Sequence, residues 1–221
     1  MQSLYAQFVR PGDLVFDIGA HVGDRIAAFR LLGARIIAVE PQPALAKTLQ
    51  LLYWRDAAVT IEAVAIGRHA GTTTLRINLD NPTVSTASDA FIAAADGAPG
   101  WHGQAWTKRI DVPMTTLDDL IARYGKPAFA KIDVEGFEAE ALLGLSQPIA
   151  AFSFEFTTIQ REVAESCLTR CQALGAFRYN AALGESQELV HRDWLDADGI
   201  GRWLAALPIE ANSGDIYARL A

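Results

Sequence analysis

Apolar and polar residues in the first third of the chain form blocks that predict strands and helices in turn. Three apolar blocks, residues 13–18, 35–40 and 59–66, are typical of buried strands. Between them, residues 23–32 and 43–55 show the spacing of helices with one apolar face. This order of elements implies right-handed crossovers, which place the three strands side by side in a parallel sheet.

The middle of the chain interrupts this order. Residues 72–79 and 109–114 alternate apolar and polar positions, as exposed or edge strands do. Between them, residues 80–104 are rich in small and polar side chains, which is typical of either a disordered loop or a lid. Two tryptophans near the far end of this segment favour the lid. We therefore expect a lid-like insertion around residues 72–114.

Alternating strands and helices then resume and predict the fold class. The further elements are helix 116–124, strand 128–133, helix 137–144, strand 149–156, helix 159–174, strand 177–181, a mostly helical stretch 191–207 and strand 215–220. Together these elements predict an α/β fold with a seven-stranded, mostly parallel sheet and helices on both faces. We expect the last strand to run antiparallel at the far side of the sheet, and residues 1–221 to form one domain.

Composition and charge narrow the classes of partner. The net charge of −7 and the isoelectric point of about 5.1 argue against a nucleic-acid partner, which usually requires a basic surface. No apolar run approaches the roughly 20 residues that span a bilayer. The N-terminus also lacks the basic and apolar regions of a signal peptide. We therefore expect no membrane partner and a cytoplasmic location, while the oligomeric state stays open.

The turn after the first strand carries the most informative motif. The strand ends in Asp17, and Gly19 and Gly23 follow with Ala20 and His21 among the three residues between them. Open α/β sheets bind nucleoside cofactors at this position, and a dinucleotide site has a further glycine there for the pyrophosphate. A carboxylate repels phosphate but accepts hydrogen bonds from ammonium and hydroxyl groups. The motif therefore predicts that these five residues bind S-adenosylmethionine.

The ends of the second and third strands complete the predicted cofactor site. Glu40 ends the second strand, where a carboxylate can accept both ribose hydroxyls, and Pro41 follows it. Ala65 and Ile66 end the third strand, where backbone groups usually contact the edge of a base. The alternative for Glu40 is a solvated charge at a strand end.

Several segments together resemble the FkbM family of S-adenosylmethionine-dependent methyltransferases. The resemblance spans roughly residues 12–156. It rests on Phe16-Asp-Ile-Gly-Ala-His-Val-Gly-Asp24, Val39-Glu-Pro41, Ser85-Thr86, Thr115-Thr-Leu-Asp-Asp-Leu120 and Lys131-Ile-Asp-Val-Glu-Gly-Phe-Glu138. The last of these is the most specific. The family usually has Asn where this chain has His21, and residues 157–221 match poorly.

The resemblance implies a fold, a cofactor and a reaction. The fold would be the Rossmann-like fold of class I methyltransferases. The reaction would be methyl transfer from S-adenosylmethionine, and family members mostly methylate hydroxyl oxygens on sugars or secondary metabolites. The partner implied is a small hydroxylated acceptor.

Charged residues around the fourth strand of the main sheet are the candidates for catalysis. We expect Asp133 and Glu135 to hold the acceptor hydroxyl, with Lys131 tuning both carboxylates. Asp133 also lies near the predicted cofactor. The base that takes the hydroxyl proton stays open between Asp133, Glu135 and His21. An ion-pair cluster without catalytic function is the alternative. Two carboxylates could also hold Mg²⁺, which is not favoured, so no metal ligand is assigned.

Four further residues are candidates for acceptor binding. Glu155 ends the next strand and is expected to line the acceptor pocket. Trp101 and His102 would close over the acceptor from the lid, although packing of the lid on the core explains the tryptophan equally well. Ser85 is added through the family resemblance.

Two other functions stay open at this point. A NAD-dependent oxidoreductase has a related fold, but the glycine missing from the first turn weakens that interpretation. A non-catalytic protein that binds a nucleoside cofactor is the second alternative, because fold alone does not establish activity. The charged residues at the fourth strand favour an enzyme.

Overall fold

The computed structural model describes residues 1–221 and contains two sheets. The main sheet has the strand order β3-β2-β1-β7-β8-β10-β9. Its strands are β1 (Leu14–Ile18), β2 (Arg35–Val39), β3 (Val59–Glu62), β7 (Phe129–Ile132), β8 (Ala151–Thr157), β9 (Phe177–Leu183) and β10 (Ser213–Leu220). The small sheet has the order β4-β6-β5, formed by β4 (Ala65–Ile66), β5 (Gly71–Ile77) and β6 (Lys108–Thr115).

Eight helices connect these strands. They are α1 (Gln2–Tyr5), α2 (Asp24–Leu31), α3 (Pro43–Tyr53), α4 (Asp89–Ala95), α5 (Leu117–Tyr124), α6 (Glu138–Leu143), α7 (Arg161–Leu174) and α8 (Ala197–Ala206). Apolar clusters cover the main sheet on both faces, as predicted. None of the helices combines the length and apolar composition that crossing a membrane requires.

The predicted seven-stranded, mostly parallel sheet is confirmed. Six of its strands run in one direction, and β10 is antiparallel to both of its neighbours, β8 and β9. As predicted, this last strand lies at the far side of the sheet, where it is inserted between β8 and β9 and does not form the edge. Its central residues Ile216, Tyr217 and Ala218 are buried, which explains why an inner position is stable.

The predicted third strand, residues 59–66, is wrong as a single element. Only Val59–Glu62 pairs with β2 in the main sheet. The chain then bends, and Ala65–Ile66 pairs with Met114 and Thr115 of β6 in the small sheet. Both segments are apolar enough to be strands, so periodicity alone could not show that they belong to different sheets.

The insertion is ordered and has a small core of its own. Within the segment predicted as a loop or lid, α4 begins after Ser88, whose Oγ accepts a hydrogen bond from the backbone N–H of Phe91 at 3.0 Å. Phe91, Val84, Ala95 and Trp101 form a buried apolar cluster. These contacts exclude the disordered loop for this segment.

The stretch 191–207 is mostly helical, as predicted, but its first residues are not. Helix α8 begins only at Ala197, where Asp196 caps it by accepting a hydrogen bond from the N–H of Gly199 at 2.8 Å. The preceding residues are irregular, and Leu195 forms an isolated antiparallel bridge to Tyr179 of β9. The bridge is a tertiary contact, which a helical pattern in the sequence could not reveal.

Strand alternation determines which side chains reach the two faces of the main sheet. Phe16 and Ile18 of β1 belong to the larger apolar cluster, and Val15 belongs to the cluster on the other face. Asp17 therefore lies on the same face as Val15. It is paired in register with Lys131 of β7, so two charged residues lie side by side in the centre of the sheet.

Candidate active site

A cleft lies at the carboxyl ends of the central strands, where open α/β sheets usually bind ligands. Two walls define it. We call the residues after β1 and β2 the first wall and the residues after β7 the second wall. The lining residues are Ile18, Gly19, His21, Val39, Glu40, Pro41, Gln42, Val64, Ala65, Ile66, Leu75, Thr83, Ser85, Ala87, Asp133, Val134, Glu135 and Phe137. Nine residues predicted from the sequence are among them.

Glu40 is the central polar group of the first wall. Its Oε2 accepts a hydrogen bond from the N–H of His21 at 2.9 Å, and its Oε1 accepts one from the N–H of Gln42 at 2.8 Å. Burial raises the pKa of Glu40 to about 7, although both hydrogen bonds act in the opposite direction. A carboxylate has about four acceptor positions, so two remain for a ligand.

Asp17 lies below the first wall rather than in it. The side chain is fully buried, does not line the cleft, and neither carboxylate oxygen has a hydrogen-bond partner. Burial raises its pKa to about 7 against the opposing charges of Lys131 and Arg25. A buried carboxylate without donors is unusual, and it matches a site that is completed by a ligand or by water.

Close packing within the protein explains why the first turn has glycine at positions 19 and 23. A Cβ on Gly19 would lie 1.8 Å from the carbonyl oxygen of Asp133, so β1 and the second wall can meet only if this residue is glycine. A Cβ on Gly23 would lie 2.8 Å from Leu49 of α3. Gly23 and the buried Ala20 do not line the cleft, and their predicted cofactor contacts stay untested.

His21 lines the cleft in a left-handed backbone conformation. Its φ is +46°, which is uncommon for a residue other than glycine and is held here by the N–H bond to Glu40. Burial lowers the pKa of His21, despite the nearby carboxylates of Asp24 and Asp133. The imidazole is therefore favoured in its neutral form.

Asp133 and Glu135 face the cleft from the second wall, whereas Lys131 lies behind them. Lys131 is 2% exposed, and its Nζ forms an ion pair with Asp133 Oδ2. Burial acts to raise the pKa of Asp133, but Lys131 outweighs it, so the pKa is lowered. Burial and the neighbouring charges of Asp133 and Glu138 raise the pKa of Glu135 well above its usual value. The second wall therefore carries one carboxyl group with a lowered pKa, Asp133, and one with a raised pKa, Glu135.

Glu135 is held in place through its backbone. Its φ is +55°, a conformation that costs of order 1–3 kcal/mol for a residue other than glycine and that clusters at functional sites. The hydroxyl of Thr86 in the insertion donates a hydrogen bond to the Glu135 carbonyl oxygen at 2.6 Å. The insertion therefore fixes the turn that presents the Glu135 side chain to the cleft.

The acceptor residues predicted from the sequence are placed in three different locations. Ser85 lines the cleft, as expected. Glu155 lies behind the second wall in a small pocket that it shares with Glu138. Trp101 and His102 line a separate depression on the insertion, and Trp101 donates from Nε1 to Asn212 Oδ1 at 3.1 Å. The expectation that these two residues close over the main cleft is corrected, because neither lines it and Trp101 packs in the core of the insertion.

Several lining residues could not be identified from the sequence. Gln42 connects the first wall to the insertion, because its Nε2 donates to the carbonyl oxygen of Pro82 at 3.1 Å and its Oε1 accepts from Ser85 Oγ at 3.4 Å. Leu75, Thr83 and Ala87 also approach the cleft from the insertion. The one sequence signal for Gln42 is its position two residues after Glu40.

The charge of the lining decides which cofactor fits. No lysine or arginine lines the cleft, whereas the carboxylates of Glu40, Asp133 and Glu135 do. A diphosphate would face three acidic groups without a compensating cation. A ligand with hydroxyl groups, an ammonium group and a sulfonium charge meets acceptors of the right kind. The residues present therefore fit S-adenosylmethionine better than a dinucleotide.

Comparisons with known proteins agree with this geometry. The methyltransferase FkbM domain matches residues 17–191, a range that includes both walls. No curated protein sequence matches the chain.

Solved structures similar to this chain include three methyltransferases. Precorrin-6y C5,15-methyltransferase from Geobacter metallireducens GS-15 is 10% identical over 98% of this chain and 86% of that one, with a TM-score of 0.49. A SAM-dependent O-methyltransferase from Thermotoga maritima is 13% identical over 100% and 64%, with a TM-score of 0.46. An rRNA methylase from Streptococcus thermophilus is 11% identical over 100% and 94%, with a TM-score of 0.49. These similarities do not bear on the acceptor of this chain.

Proposed function

This chain belongs to the FkbM methyltransferase domain family, and we propose that it transfers the methyl group of S-adenosylmethionine to a hydroxyl oxygen of a small molecule. The acceptor class that we propose is a sugar or a secondary metabolite. The observation that carries the proposal is the acidic lining of the cleft, which has three carboxylates and no lysine or arginine. Such a lining favours hydroxyl groups and positive charge and disfavours phosphates, including those of a nucleic acid.

The first wall is proposed to bind the cofactor. Glu40 has two free acceptor positions for the ribose hydroxyls, because its other two are used by backbone N–H groups. Ala65, Ile66 and Pro41 also line the cleft, and they would contact the base of the cofactor. Asp17 supports the amino-acid end of the cofactor from below, through water or through the turn that follows it.

The second wall is proposed to bind and activate the acceptor. The cofactor supplies a methyl group on a positively charged sulfur, which is a strong electrophile. Asp133 stays ionised beside Lys131 and accepts a hydrogen bond from the acceptor hydroxyl. Glu135 projects into the cleft from a backbone that Thr86 holds, and it takes the hydroxyl proton as the oxygen attacks. Proton removal of this kind contributes roughly 10²- to 10⁴-fold to a rate.

Exclusion of water and alignment of the attacking oxygen are proposed to supply the rest of the rate enhancement. The half-buried cleft and its apolar residues, among them Ile18, Val39 and Leu75, exclude water from a reaction in which the charge on sulfur disappears. Much of the rate would come from holding the oxygen in line with the carbon–sulfur bond. Lys131 acts as a positioning residue for Asp133 because it does not itself reach the cleft.

Calorimetry and a transfer assay test this proposal in two steps. We expect the protein to bind S-adenosylhomocysteine and to bind NAD⁺ or NADH much more weakly. Tritiated methyl transfer to a panel of hydroxylated sugars and polyketides should then identify an acceptor. Preferential binding of NAD(H) would support the oxidoreductase alternative and contradict the proposal. Cofactor binding with transfer only to amines or to RNA would contradict the proposed acceptor class.

A further inference from the structure

Behind the second wall, three carboxylates from different elements converge on one point. Asp133 follows β7, Glu138 begins α6, and Glu155 lies in β8. One carboxylate oxygen of each residue lies within 4.8 Å of the corresponding oxygens of the other two. The residues are up to 22 positions apart in the sequence, so tertiary packing alone brings them together.

A fourth side-chain oxygen lines the pocket that Glu138 and Glu155 share. Gln160 is 4% exposed, and its Oε1 has no hydrogen-bond partner. It lines a small pocket with Glu138 and Glu155, and a Cβ added to Gly136 in that pocket would lie 2.8 Å from this oxygen. A buried carbonyl oxygen without a hydrogen-bond partner is energetically costly. The amide therefore indicates that something other than protein completes this pocket.

Two of the three carboxyl groups have no cationic partner in the protein. Lys131 pairs with Asp133, and the backbone N–H groups of Val134 and Gly136 donate to Glu138 Oε1. No lysine or arginine forms an ion pair with Glu138 or Glu155. Burial raises the pKa of Glu155 well above its usual value and the pKa of Glu138 to about 7, because an ionised carboxylate is costly in this place unless a cation accompanies it.

We propose that Asp133, Glu138, Glu155 and Gln160 bind one divalent cation. Four oxygen donors select hard cations such as Ca²⁺, Mn²⁺ or Mg²⁺. Oxygens within 4.8 Å of one another are close enough to bind one Ca²⁺, whose bonds to oxygen are about 2.3–2.6 Å long. Glu135 is not one of the proposed ligands, because it faces the cleft and does not belong to the carboxylate cluster.

The cation site has a direct connection to the cleft. Asp133 both lines the cleft and contributes to the cluster. A cation on one of its oxygens would hold the carboxylate in a single orientation toward the acceptor. This positioning role rests on the proposed function, whereas the existence of the site does not.

Calorimetric titration of the chelator-treated full chain tests the site directly. CaCl₂, MnCl₂ and MgCl₂ are titrated separately, and we expect one equivalent of at least one cation to bind. Glu155→Gln should weaken that binding at least tenfold, and Gln160→Met should weaken it several-fold. Glu140→Gln is the matched control, because Glu140 lies on the same helix but outside the cluster, and it should leave the affinity unchanged.

Thermal unfolding provides a second test of the cation site, and binding of S-adenosylhomocysteine tests the proposed function separately. A saturating cation should raise the melting temperature of the wild type and of Glu140→Gln, and should raise it less in Gln160→Met. Absence of binding by all three cations would overturn the site. Wild-type affinity in Gln160→Met would overturn it too. Gln160→Met changes no charged residue, so it still tests the site if Glu155→Gln does not fold. A protein that binds S-adenosylhomocysteine but no cation would contradict this inference alone and leave the proposed function intact.

Discussion

The two walls of the cleft hold their carboxylates in different ways. On the first wall, Glu40 is surrounded by backbone N–H groups, which stay in place whatever side chains neighbour them. On the second wall, Asp133 and Glu135 depend on other side chains, namely Lys131 and Thr86. Substitution of a neighbouring side chain therefore leaves the donors to Glu40 in place, whereas substitution of Lys131 or Thr86 removes a contact that holds the second wall.

Replacing the proposed base, Glu135, should distinguish the roles of the two walls most clearly. Glu135→Gln keeps the size of the side chain but cannot take a proton. We expect kcat for methyl transfer to fall by roughly 10²- to 10⁴-fold, while the affinity for S-adenosylhomocysteine changes by less than about threefold. Single-turnover transfer and calorimetry measure the two quantities. Transfer at the wild-type rate would remove Glu135 from the mechanism.

Gly19 is the point at which the two walls meet, so changing it should disrupt both. Gly19→Ala places a Cβ 1.8 Å from the Asp133 carbonyl oxygen at a φ of +86°. We expect the free energy of unfolding to fall by about 3 kcal/mol or more, because the backbone must move and not only a side chain.

Gly12→Ala is the matched control for this experiment. Gly12 has a φ of +89°, but a Cβ there meets nothing within 4 Å. Its expected cost is therefore the backbone strain alone, about 1–2 kcal/mol. Urea denaturation of both variants separates clash from strain. Equal losses in the two variants would contradict the close approach of the walls.

Removing the carboxylate of the first wall should affect the cofactor first. Glu40→Gln leaves one acceptor oxygen for two ribose hydroxyls and loses the charge. Hydrogen bonds to charged groups are worth about 1.5–3 kcal/mol, so we expect the affinity for S-adenosylhomocysteine to fall about 10- to 100-fold. The comparison of the walls fails if Glu135→Gln weakens cofactor binding as much as Glu40→Gln does.

The smallest predicted effect is a pH dependence of cofactor binding. Burial raises the pKa of Glu40 to about 7, so the group is mostly protonated at pH 6 and mostly ionised at pH 8. Only the ionised form accepts two hydroxyls, and the affinity for S-adenosylhomocysteine should therefore rise about tenfold over this range. Asp17, whose pKa is also raised to about 7, adds to the same trend.

The stability of the free protein should change in the opposite direction. Because the folded state keeps the Glu40 proton to a higher pH than the unfolded chain does, the free energy of unfolding falls as pH rises from about 4.5 to 7. It should then level off above about pH 7. Glu40→Gln should reduce both pH dependences, and a variant with an unchanged binding profile would show that another group titrates.

Local patterns in the sequence were sufficient for the first wall and for most of the elements. Asp17 and Glu40 end apolar strands and are followed by turn or proline residues, so their place at one edge of a parallel sheet follows from periodicity. The charged run from Lys131 to Glu135 could be located in the same way. The sequence also predicted that Asp133 and Glu135 would act together with Lys131 beside them, but it could not show that Lys131 is buried and does not line the cleft, because that depends on where the strand ends.

The sequence alone determined the α/β class, the crossover order and the carboxyl edge at which the cleft lies, because these follow from interactions within a few tens of residues. Tertiary structure decided that β10 lies inside the sheet, that Ala65–Ile66 joins the small sheet, and that Trp101 contacts Asn212 and does not line the cleft. It also brought Gln160 to Glu138 and Glu155. Such contacts depend on how distant segments pack together, and hydrophobic periodicity carries no information about packing partners.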